Sequence, residues 1–307
     1  MDRTKSTYPR DEKGPFWGIS RAKMNKSLRV TMHGAVSVVN AVANGRGSAL
    51  GISLKVIADL TISQGKGIYI KSKQGEKLLN ILVRKALPRT VLLDHAIRIG
   101  IKSEIPVGFG LKSSSAVSSA VALAIQRLLR EEIDDLKVLN LSADASIDAG
   151  VSLTGAFDDS AACYFGGFVI TDNFSRKLIR KEPASEDLTA IILLPARVSR
   201  GNLYNLYLAP EIFEVAFKMA SDHDYWNAMK LNGMAVGALL GSDYTPVISA
   251  IKGHALSAGI SGNGPSVVAI SDSRNLKGLV SSLSSFEGQV LISKVNNQKA
   301  TVEDFDG

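Results

Sequence analysis

The stretch of this sequence best suited to chemistry is a run of glycines, hydroxyl residues and one cation over residues 106–116. It reads Pro-Val-Gly-Phe-Gly-Leu-Lys-Ser-Ser-Ser-Ala and leads into apolar residues at helical spacing over residues 117–129. Backbone N–H groups at a helix start lack partners within the helix and carry the positive end of its dipole, so a polyphosphate can bind there. The residues alone indicate either such an anion site or a plain turn before a helix, with residues 113–115 as candidate N-caps.

The same stretch is not a Walker A loop. Leu111 rather than glycine precedes Lys112, and the pattern G-x-x-x-x-G-K-[ST] occurs nowhere in the chain. A second glycine loop, Ser-Gly-Asn-Gly-Pro, occupies residues 261–265 and leads into a predicted strand at residues 266–271.

Two adjacent carboxylates, Asp158 and Asp159, lie in the segment Thr-Gly-Ala-Phe-Asp-Asp-Ser of residues 154–160. Phosphoryl transfer needs positioning, charge neutralisation and a group that accepts or orients the proton of the attacking hydroxyl, which a carboxylate can do. On extended backbone adjacent side chains point to opposite sides, so we expect only one of the two to face a substrate. The alternative is a turn in which both are solvated.

The elements that must position these residues form a predicted α+β fold. Strands are predicted at residues 29–32, 56–62, 67–70, 97–105, 164–171, 188–194, 266–271 and 290–295. Helices are predicted at residues 117–129, 136–148, 210–221, 224–240 and 246–257, while residues 76–84 suit either. The strands at 56–62 and 67–70 are expected to pair as a hairpin. Polar residues at 172–187 divide residues 28–172 from residues 173–307, and residues 1–27 form a basic, weakly ordered extension.

Composition narrows the classes of function. The net charge is +7, but residues 1–28 carry seven basic and three acidic side chains, and aromatic residues make up 6% of the chain, so nucleic-acid binding is not favoured. No apolar segment is long enough to span a bilayer, and residues 1–20 contain no secretory signal. Cys163 is the only cysteine, which excludes an internal disulfide and favours a cytoplasmic location.

Taken together, the motifs resemble those of the GHMP kinases. The pattern P-x-x-x-G-L-x-S-S-[SA]-A of their ATP-phosphate loop matches residues 106–116, and the Gly-Leu-Lys-Ser-Ser-Ser form is similar to that of archaeal shikimate kinases. The segments at residues 33–51 and 261–265 resemble the first and third motifs of these proteins. The resemblance covers residues 30–271 and implies a GHMP kinase fold, with two closely packed α/β subdomains and the ATP site between them.

The resemblance also implies roles for individual residues. ATP phosphates are expected at Pro106, Gly108, Gly110, Leu111, Lys112, Ser113, Ser114, Ser115, Gly262, Asn263 and Gly264. Ser114 is the expected Mg²⁺ ligand. The catalytic aspartate of related kinases stands seven positions before a closing glycine, and counting from Gly166 selects Asp159, with Asp158 one residue off register.

Other expected positions are less well defined. Mevalonate kinases carry a lysine where this chain has Ala35, and Arg46, Lys112 and other basic residues are the candidates to replace it near the aspartate, among which the sequence does not choose. A shikimate carboxylate suits a bidentate arginine, for which Arg197 and Arg200 are candidates, although both also suit a solvated surface. His33, in the first motif, is a candidate for substrate contact, with a structural hydrogen bond as its alternative role.

The activity implied by the resemblance is ATP- and Mg²⁺-dependent phosphorylation of shikimate, a step of aromatic amino-acid biosynthesis. Another GHMP kinase acting on homoserine or mevalonate is the alternative enzyme. A non-catalytic nucleotide- or RNA-binding module is the alternative of another class, since the N-terminal half of GHMP proteins resembles a fold that also contacts RNA and residues 1–28 are basic. Oligomeric state has no signature in the sequence.

Overall fold

The protein is described by a computed structural model, which covers residues 25–72, 75–197 and 201–305. Within these residues it contains one sheet of seven strands and one of four. The larger sheet comprises β1 (Lys26–Val39), β2 (Arg46–Gln64), β3 (Gly67–Lys71), β4 (His95–Ser103), β5 (Phe168–Asp172), β6 (Lys177–Glu182) and β11 (Thr301–Asp304). The smaller comprises β7 (Thr189–Pro195), β8 (Ser257–Ile260), β9 (Val267–Ser271) and β10 (Gly288–Lys294). The predicted extension lies almost wholly outside the described residues.

The long antiparallel pair of β1 and β2 is the frame of the larger sheet. In the first half of β1 buried Leu28, Val30 and Met32 alternate with partly exposed residues, as in a strand with one solvated face. Residues 34–39 are buried on both faces, because helices from both halves of the chain pack against this end of the strand. A side chain in this second half can therefore contact both halves of the molecule.

The prediction that residues 56–62 and 67–70 pair as a hairpin is wrong. β4 occupies the edge of β2 from Val56 to Gln64 in an antiparallel register, and β3 lies beyond β4, paired parallel to it. A parallel pair needs a crossover connection of a dozen or more residues, which α1 (Glu76–Ala86) and α2 (Arg89–Asp94) supply. The segment 76–84, which the sequence left undecided, is thus helical.

Three further helices cover the larger sheet: α3 (Ser113–Leu129), α4 (Asp135–Asp148) and α5 (Phe157–Phe165). They approach closely because small residues face one another. The hydroxyls of Ser118 on α3 and Ser142 on α4 lie 2.6 Å apart, and Ser160 on α5 lies 3.3 Å from Ser142. The predicted helices at 117–129 and 136–148 are confirmed. The strand expected at 164–171 is partly wrong, since residues 164 and 165 end α5 and β5 begins at Phe168.

The smaller sheet has the strand order β10-β7-β9-β8, with antiparallel neighbours throughout. Its helices are α6 (Pro210–Ser221), α7 (Tyr225–Leu240), α8 (Thr245–Lys252) and α9 (Leu276–Ser284), and a 3₁₀ helix spans Leu203–Leu208. The strands and helices expected in this half are confirmed, although α8 ends five residues earlier than expected. The strand β11 was not predicted, because it is only four residues long and mostly exposed.

The chain crosses between the two sheets twice, and the two crossings are bonded to each other. It leaves the larger sheet after β6 and returns to it after β10. The backbone N–H of Ala184 donates to Asn297 Oδ1 at 2.9 Å, and Asn297 Nδ2 donates to the carbonyl of Ala184 at 2.8 Å. The returning segment also accepts from Gly167 N–H, through the carbonyl of Asn296, at 2.7 Å.

These pairings bear on the expected division at residue 172. β6 and β11 both follow residue 172 in the chain, and both belong to the larger sheet. Strand pairing therefore does not decide where the two subdomains divide, and the division into residues 28–172 and 173–307 stays a prediction. Among the described residues, no helix has the length and apolar character needed to cross a membrane.

Leu60 offers a test of how much the core under β1 and β2 contributes to stability. Its side chain is fully buried on β2, so Leu60→Ala removes packed methyl groups and leaves a cavity. We expect the free energy of unfolding, measured by urea titration, to fall by roughly 2–5 kcal/mol. Leu93 on α2 is 55% exposed, and Leu93→Ala, the matched control, should change the same quantity by less than about 0.5 kcal/mol. Equal losses in the two variants would contradict the described packing.

Candidate functional site

A cleft of about 470 Å³ opens where α3 begins, between the two sheets of the molecule. Every residue expected to bind ATP phosphates lines this cleft, as do both aspartates. The lining residues on these elements are Pro106, Gly108, Gly110, Leu111, Lys112, Ser113, Ser114, Ser115, Asp158, Asp159, Gly262, Asn263 and Gly264. The three segments singled out in the sequence are therefore brought together in one place.

The turn into α3 is built on left-handed backbone. Gly108 and Gly110 have φ angles of 81° and 77°, and Lys112, the residue that caps α3, has a φ of 67°. The expected serine N-cap is wrong, because the helix starts at Ser113 and Lys112 makes no side-chain capping bond. The first backbone N–H groups of α3 thus open towards the cleft without a serine side chain folded over them.

The two glycine loops are docked directly against each other. Ser261 Oγ donates to the carbonyl of Gly110 at 2.8 Å, and Ser266 Oγ donates to that of Phe109 at 2.6 Å. A Cβ atom on Gly110 would lie 2.0 Å from the carbonyl oxygen of Ser261, which no relaxed structure accommodates. Gly110 is therefore required both by its φ angle and by the closeness of the second loop.

Asn40, in the turn after β1, fixes the tip of the second loop. Its Nδ2 donates to the carbonyl of Gly262 at 3.1 Å and to Asn263 Oδ1 at 3.0 Å, while its backbone N–H donates to Asn232 Oδ1 on α7. All four residues are buried or nearly so. The turn between β1 and β2 thus holds the loop from the other half of the chain.

The aspartates lie in the first turn of α5 rather than on extended backbone. The expectation that they point to opposite sides therefore rests on the wrong geometry, since consecutive helical side chains are about 100° apart. The carboxylate of Asp159 faces the cleft, and its Oδ1 lies 2.8 Å from Lys112 Nζ. Both ends of this ion pair are largely removed from water, with exposed side-chain fractions of 18% for Asp159 and 6% for Lys112.

Lys112 stays charged despite its burial. Burial by itself lowers the pKa of its ammonium, but the charges of Asp159 and Asp158 outweigh that effect, and the pKa lies above its ordinary value. The ammonium also donates to Ser37 Oγ at 2.7 Å. Among the described residues, Lys112 is the one basic side chain that lines the cleft.

Asp158 lies behind Asp159 and is 4% exposed. Its Oδ1 accepts from Asn173 Nδ2 at 2.8 Å, and its backbone N–H donates to Asn173 Oδ1 at 3.1 Å. Its other oxygen packs so closely on Gly47 that a Cβ there would lie 2.5 Å away. Burial, followed by the charge of Asp159, raises the pKa of Asp158 to about 7, against the opposing effects of Lys112 and Asn173.

Of the residues expected to contact the substrate, Arg197 and His33 do not line the cleft. The guanidinium of Arg197 is 91% exposed and lies 3.7 Å from Glu287, and Arg200 lies outside the described residues. His33 lies on β1 outside the lining of the cleft, and burial lowers the pKa of its imidazole. Arg46 is paired with Glu214 at 2.6 Å. Of the cations considered as replacements for the lysine missing at Ala35, Lys112 is the one that contacts Asp159.

Several lining residues were missed in the sequence. Those outside the motifs are Ser146, Gly150, Val151, Ser152, Leu153, Gly201, Leu203 and Tyr204, while Ser37 and Val42 lie within the segment 33–51 but were given no role. Ser37 and Ser146 carry no signal of their own, because each is a small residue within a regular strand or helix. Leu203 and Tyr204 come from the 3₁₀ helix after β7, a connection with no motif.

The described residues of the site offer oxygen ligands to a metal ion but do not form a complete set of ligands by themselves. Among the described residues, no group of three or more His, Cys, Asp or Glu side chains is placed to hold a metal ion. Mg²⁺ is commonly bound by one or two protein oxygens together with the phosphates of a nucleotide. The hydroxyl of Ser114, in the first turn of α3 at the cleft, is a hard oxygen donor of the kind that Mg²⁺ accepts.

Comparison with known proteins gives a consistent result. The family model described as GHMP kinases N terminal domain matches residues 76–167. A shikimate kinase from Methanothermobacter thermautotrophicus is 35% identical over 279 residues, which are 88% of this chain and 96% of that protein. A shikimate kinase from Pyrococcus furiosus is 39% identical, covering 78% of this chain and 89% of that protein. The structure of Methanococcus jannaschii mevalonate kinase is similar in fold, with a TM-score of 0.69 at 16% identity over 88% of this chain and 98% of that one.

The raised pKa of Asp158 predicts a pH-dependent stability. Between about pH 4 and pH 7 the folded chain holds a proton on Asp158 that the unfolded chain has lost, so the free energy of unfolding falls as pH rises through this window. Asp158→Asn keeps an oxygen for the bond from Asn173 and removes this dependence. We expect the variant, relative to the unaltered protein, to be more stable at pH 8 than at pH 5 in urea unfolding.

The control for that measurement is Asp94→Asn, which removes a negative charge from an exposed position at the end of α2. It should shift the unfolding free energy by similar amounts at both pH values. If Asp158→Asn instead gives the same difference from the unaltered protein at pH 5 and pH 8, Asp158 does not titrate in this window.

Proposed function

The chain belongs to the archaeal shikimate kinases, a family of the GHMP kinases, and we propose that it transfers the γ-phosphoryl group of ATP to a hydroxyl of shikimate. The α+β GHMP kinase fold expected from the sequence is confirmed. The observation that carries the proposal for the site is the contact between Lys112 and Asp159 beside the two docked glycine loops.

The glycine loops are the proposed cradle of the ATP phosphates. The start of α3 offers unpaired N–H groups and the positive end of a helix dipole, and Gly262 and Gly264 keep the opposite wall free of side chains. Lys112 lies between the two walls, where its ammonium can neutralise charge that develops on the transferring group. This combination of positioning and electrostatic stabilisation is what phosphoryl transfer requires of a protein.

Asp159 is the proposed group that accepts or orients the proton of the attacking hydroxyl. It faces the cleft, and its partner Lys112 holds it in place through a 2.8 Å contact. Asp158 is a poorer candidate, because its oxygens are engaged by Asn173 and by packing on Gly47. Lys112 in this arrangement supplies the cation that related kinases carry at the position of Ala35.

Mg²⁺ is the proposed metal, held by Ser114 together with phosphate oxygens, and it would supply charge neutralisation for the nucleotide. The acceptor would then lie against the remaining lining residues, which come from the turn after β1, the loop before α5 and the 3₁₀ helix. The cytoplasmic location and the lack of nucleic-acid binding stay predictions.

A substrate panel with Asp159→Asn and Asp158→Asn tests both the function and the assignment of the aspartates. We expect ADP release with shikimate, ATP and Mg²⁺, and little with homoserine or mevalonate. Asp159→Asn should lower kcat by roughly 10²–10⁴-fold, the range for loss of a general base, whereas Asp158→Asn should lower it by less than about tenfold. Turnover of homoserine or mevalonate alone would overturn the proposed substrate, and a larger loss in Asp158→Asn would reverse the assignment.

Lys112→Gly tests the role of the cation without straining the backbone. Glycine adopts the left-handed conformation of residue 112 freely, so the fold should be retained while the charge beside Asp159 is lost. We expect kcat to fall by roughly 10²–10³-fold, as for loss of one stabilising donor. His254→Gly is the matched control, because His254 also has a positive φ of 63° and is exposed outside the cleft. Equal kinetics in both variants would exclude Lys112 from catalysis.

A further inference from the structure

Ser37 is a buried hydroxyl on the half of β1 that is covered on both faces, with Val36 and Val38 as its neighbours. Ser37 is only 1% exposed to solvent, yet it lines the cleft. A buried hydroxyl contributes to the stability of the fold only if it is hydrogen-bonded, since an unpaired buried polar group costs the free energy of its lost hydration. The partners of Ser37 therefore indicate what this residue does.

Ser37 contacts each component of the proposed phosphate site. Its Oγ accepts from Lys112 Nζ at 2.7 Å and from the backbone N–H of Gly262 at 3.0 Å. Its own backbone N–H donates to Ser261 Oγ at 3.1 Å, and that hydroxyl donates to Gly110 at 2.8 Å. One residue of β1 thus connects the lysine, the phosphate loop and the second glycine loop.

The bonding capacity of the hydroxyl fits this position. A serine oxygen has two acceptor lone pairs and one O–H donor. Lys112 and Gly262 occupy the two acceptor positions, and neither bond uses the hydroxyl hydrogen. The hydrogen remains for a donation into the cleft, towards the region where phosphate oxygens would lie.

The lysine is the group most in need of such a support. Its side chain is a flexible four-carbon stem ending in a point charge, which has no directional preference of its own. Asp159 and Ser37 together fix the ammonium by two short contacts, 2.8 Å and 2.7 Å. Without Ser37 the ammonium would be free to move towards bound phosphates and leave Asp159.

We propose that Ser37 is a positioning residue for phosphoryl transfer, which holds Lys112 against Asp159 and locks the second glycine loop to the phosphate loop. This inference rests on the proposed kinase function. It assigns to a strand residue outside the glycine loops the task of aligning the proton acceptor with the phosphate cradle.

Ser37→Ala and Ser37→Cys test the proposal, since one is slightly smaller and one slightly larger than serine and both remove the strong oxygen acceptor. We expect kcat with shikimate and ATP to fall by roughly 10²-fold, the cost of a misplacement of about 1 Å, with a much smaller change in the KM of shikimate. Ser37→Thr retains the hydroxyl and should recover most of the lost kcat. Thermal melting establishes that each variant is folded, and only folded variants are compared.

The effect of Ser37→Ala on kcat should depend on the presence of Lys112, which would not be so if Ser37 only supported the fold. In the Lys112→Gly background, Ser37→Ala should lower kcat by clearly less than in the unaltered protein, because the lysine is gone and only the bond from Gly262 N–H remains to be lost. A loss of kcat in that background equal to the loss in the unaltered protein would overturn the proposal, as would normal kcat in folded Ser37→Ala.

Ser48 supplies the matched control. It is a fully buried serine on β2, paired with Val39 in the register of the sheet and outside the lining of the cleft. Ser48→Ala should leave kcat unchanged, and a fall equal to that of Ser37→Ala would show a general effect of the sheet and overturn the proposal. If the unaltered protein itself gave no ADP with shikimate, the proposed function would fail, which is distinct from failure of the role of Ser37.

Discussion

A buried lysine remains charged only beside a compensating carboxylate, and the contact of Lys112 with Asp159 is the interaction on which the rest of the site depends. Removing one partner of a buried ion pair leaves a charge without compensation, at a cost of roughly 3–5 kcal/mol. Lys112 also stands at the positive end of the dipole of α3, which is an unfavourable place for a cation. Asp159 relieves this, and a bound polyphosphate would relieve it further.

The placement of that ion pair depends in turn on small residues. α3 and α5 start at the cleft, and they approach closely because serines and alanines lie between them and α4. The buried hydroxyls of this contact are hydrogen-bonded to one another, so these serines are not left unsatisfied between the helices. Larger side chains at these positions would separate the two helix starts and with them Lys112 and Asp159.

The sequence was informative where a short segment carries its own geometry. The proposed phosphate loop, the second glycine loop and the aspartates could be located because glycine, hydroxyl and acidic residues are concentrated there. Helices with strong apolar periodicity, such as α3, were also found. Features set by distant parts of the chain were not found: the parallel placement of β3 depends on β4 taking the edge of β2, and β11 depends on a partner more than two hundred residues away.

The role of Ser37 could not be predicted for the same reason, because its importance lies in contacts with Lys112 and Gly262. The arginine expected for a substrate carboxylate was inferred from ligand chemistry, and side-chain chemistry alone does not fix where Arg197 points.

The bond between Ser261 and Gly110 has a consequence for the order in which the protein matures during translation. Residues 28–172 contain the proposed phosphate loop and both aspartates, so these are synthesised before the second glycine loop. The second wall of the cradle is encoded far later, and β1 gains its outer neighbour only when residues 301–304 have been made. Contacts of such long sequence separation form slowly and late, because loop closure costs entropy before any contact is gained. A nascent chain therefore completes the proposed polyphosphate cradle only after the second glycine loop has been made, and until then it presents one wall of that site.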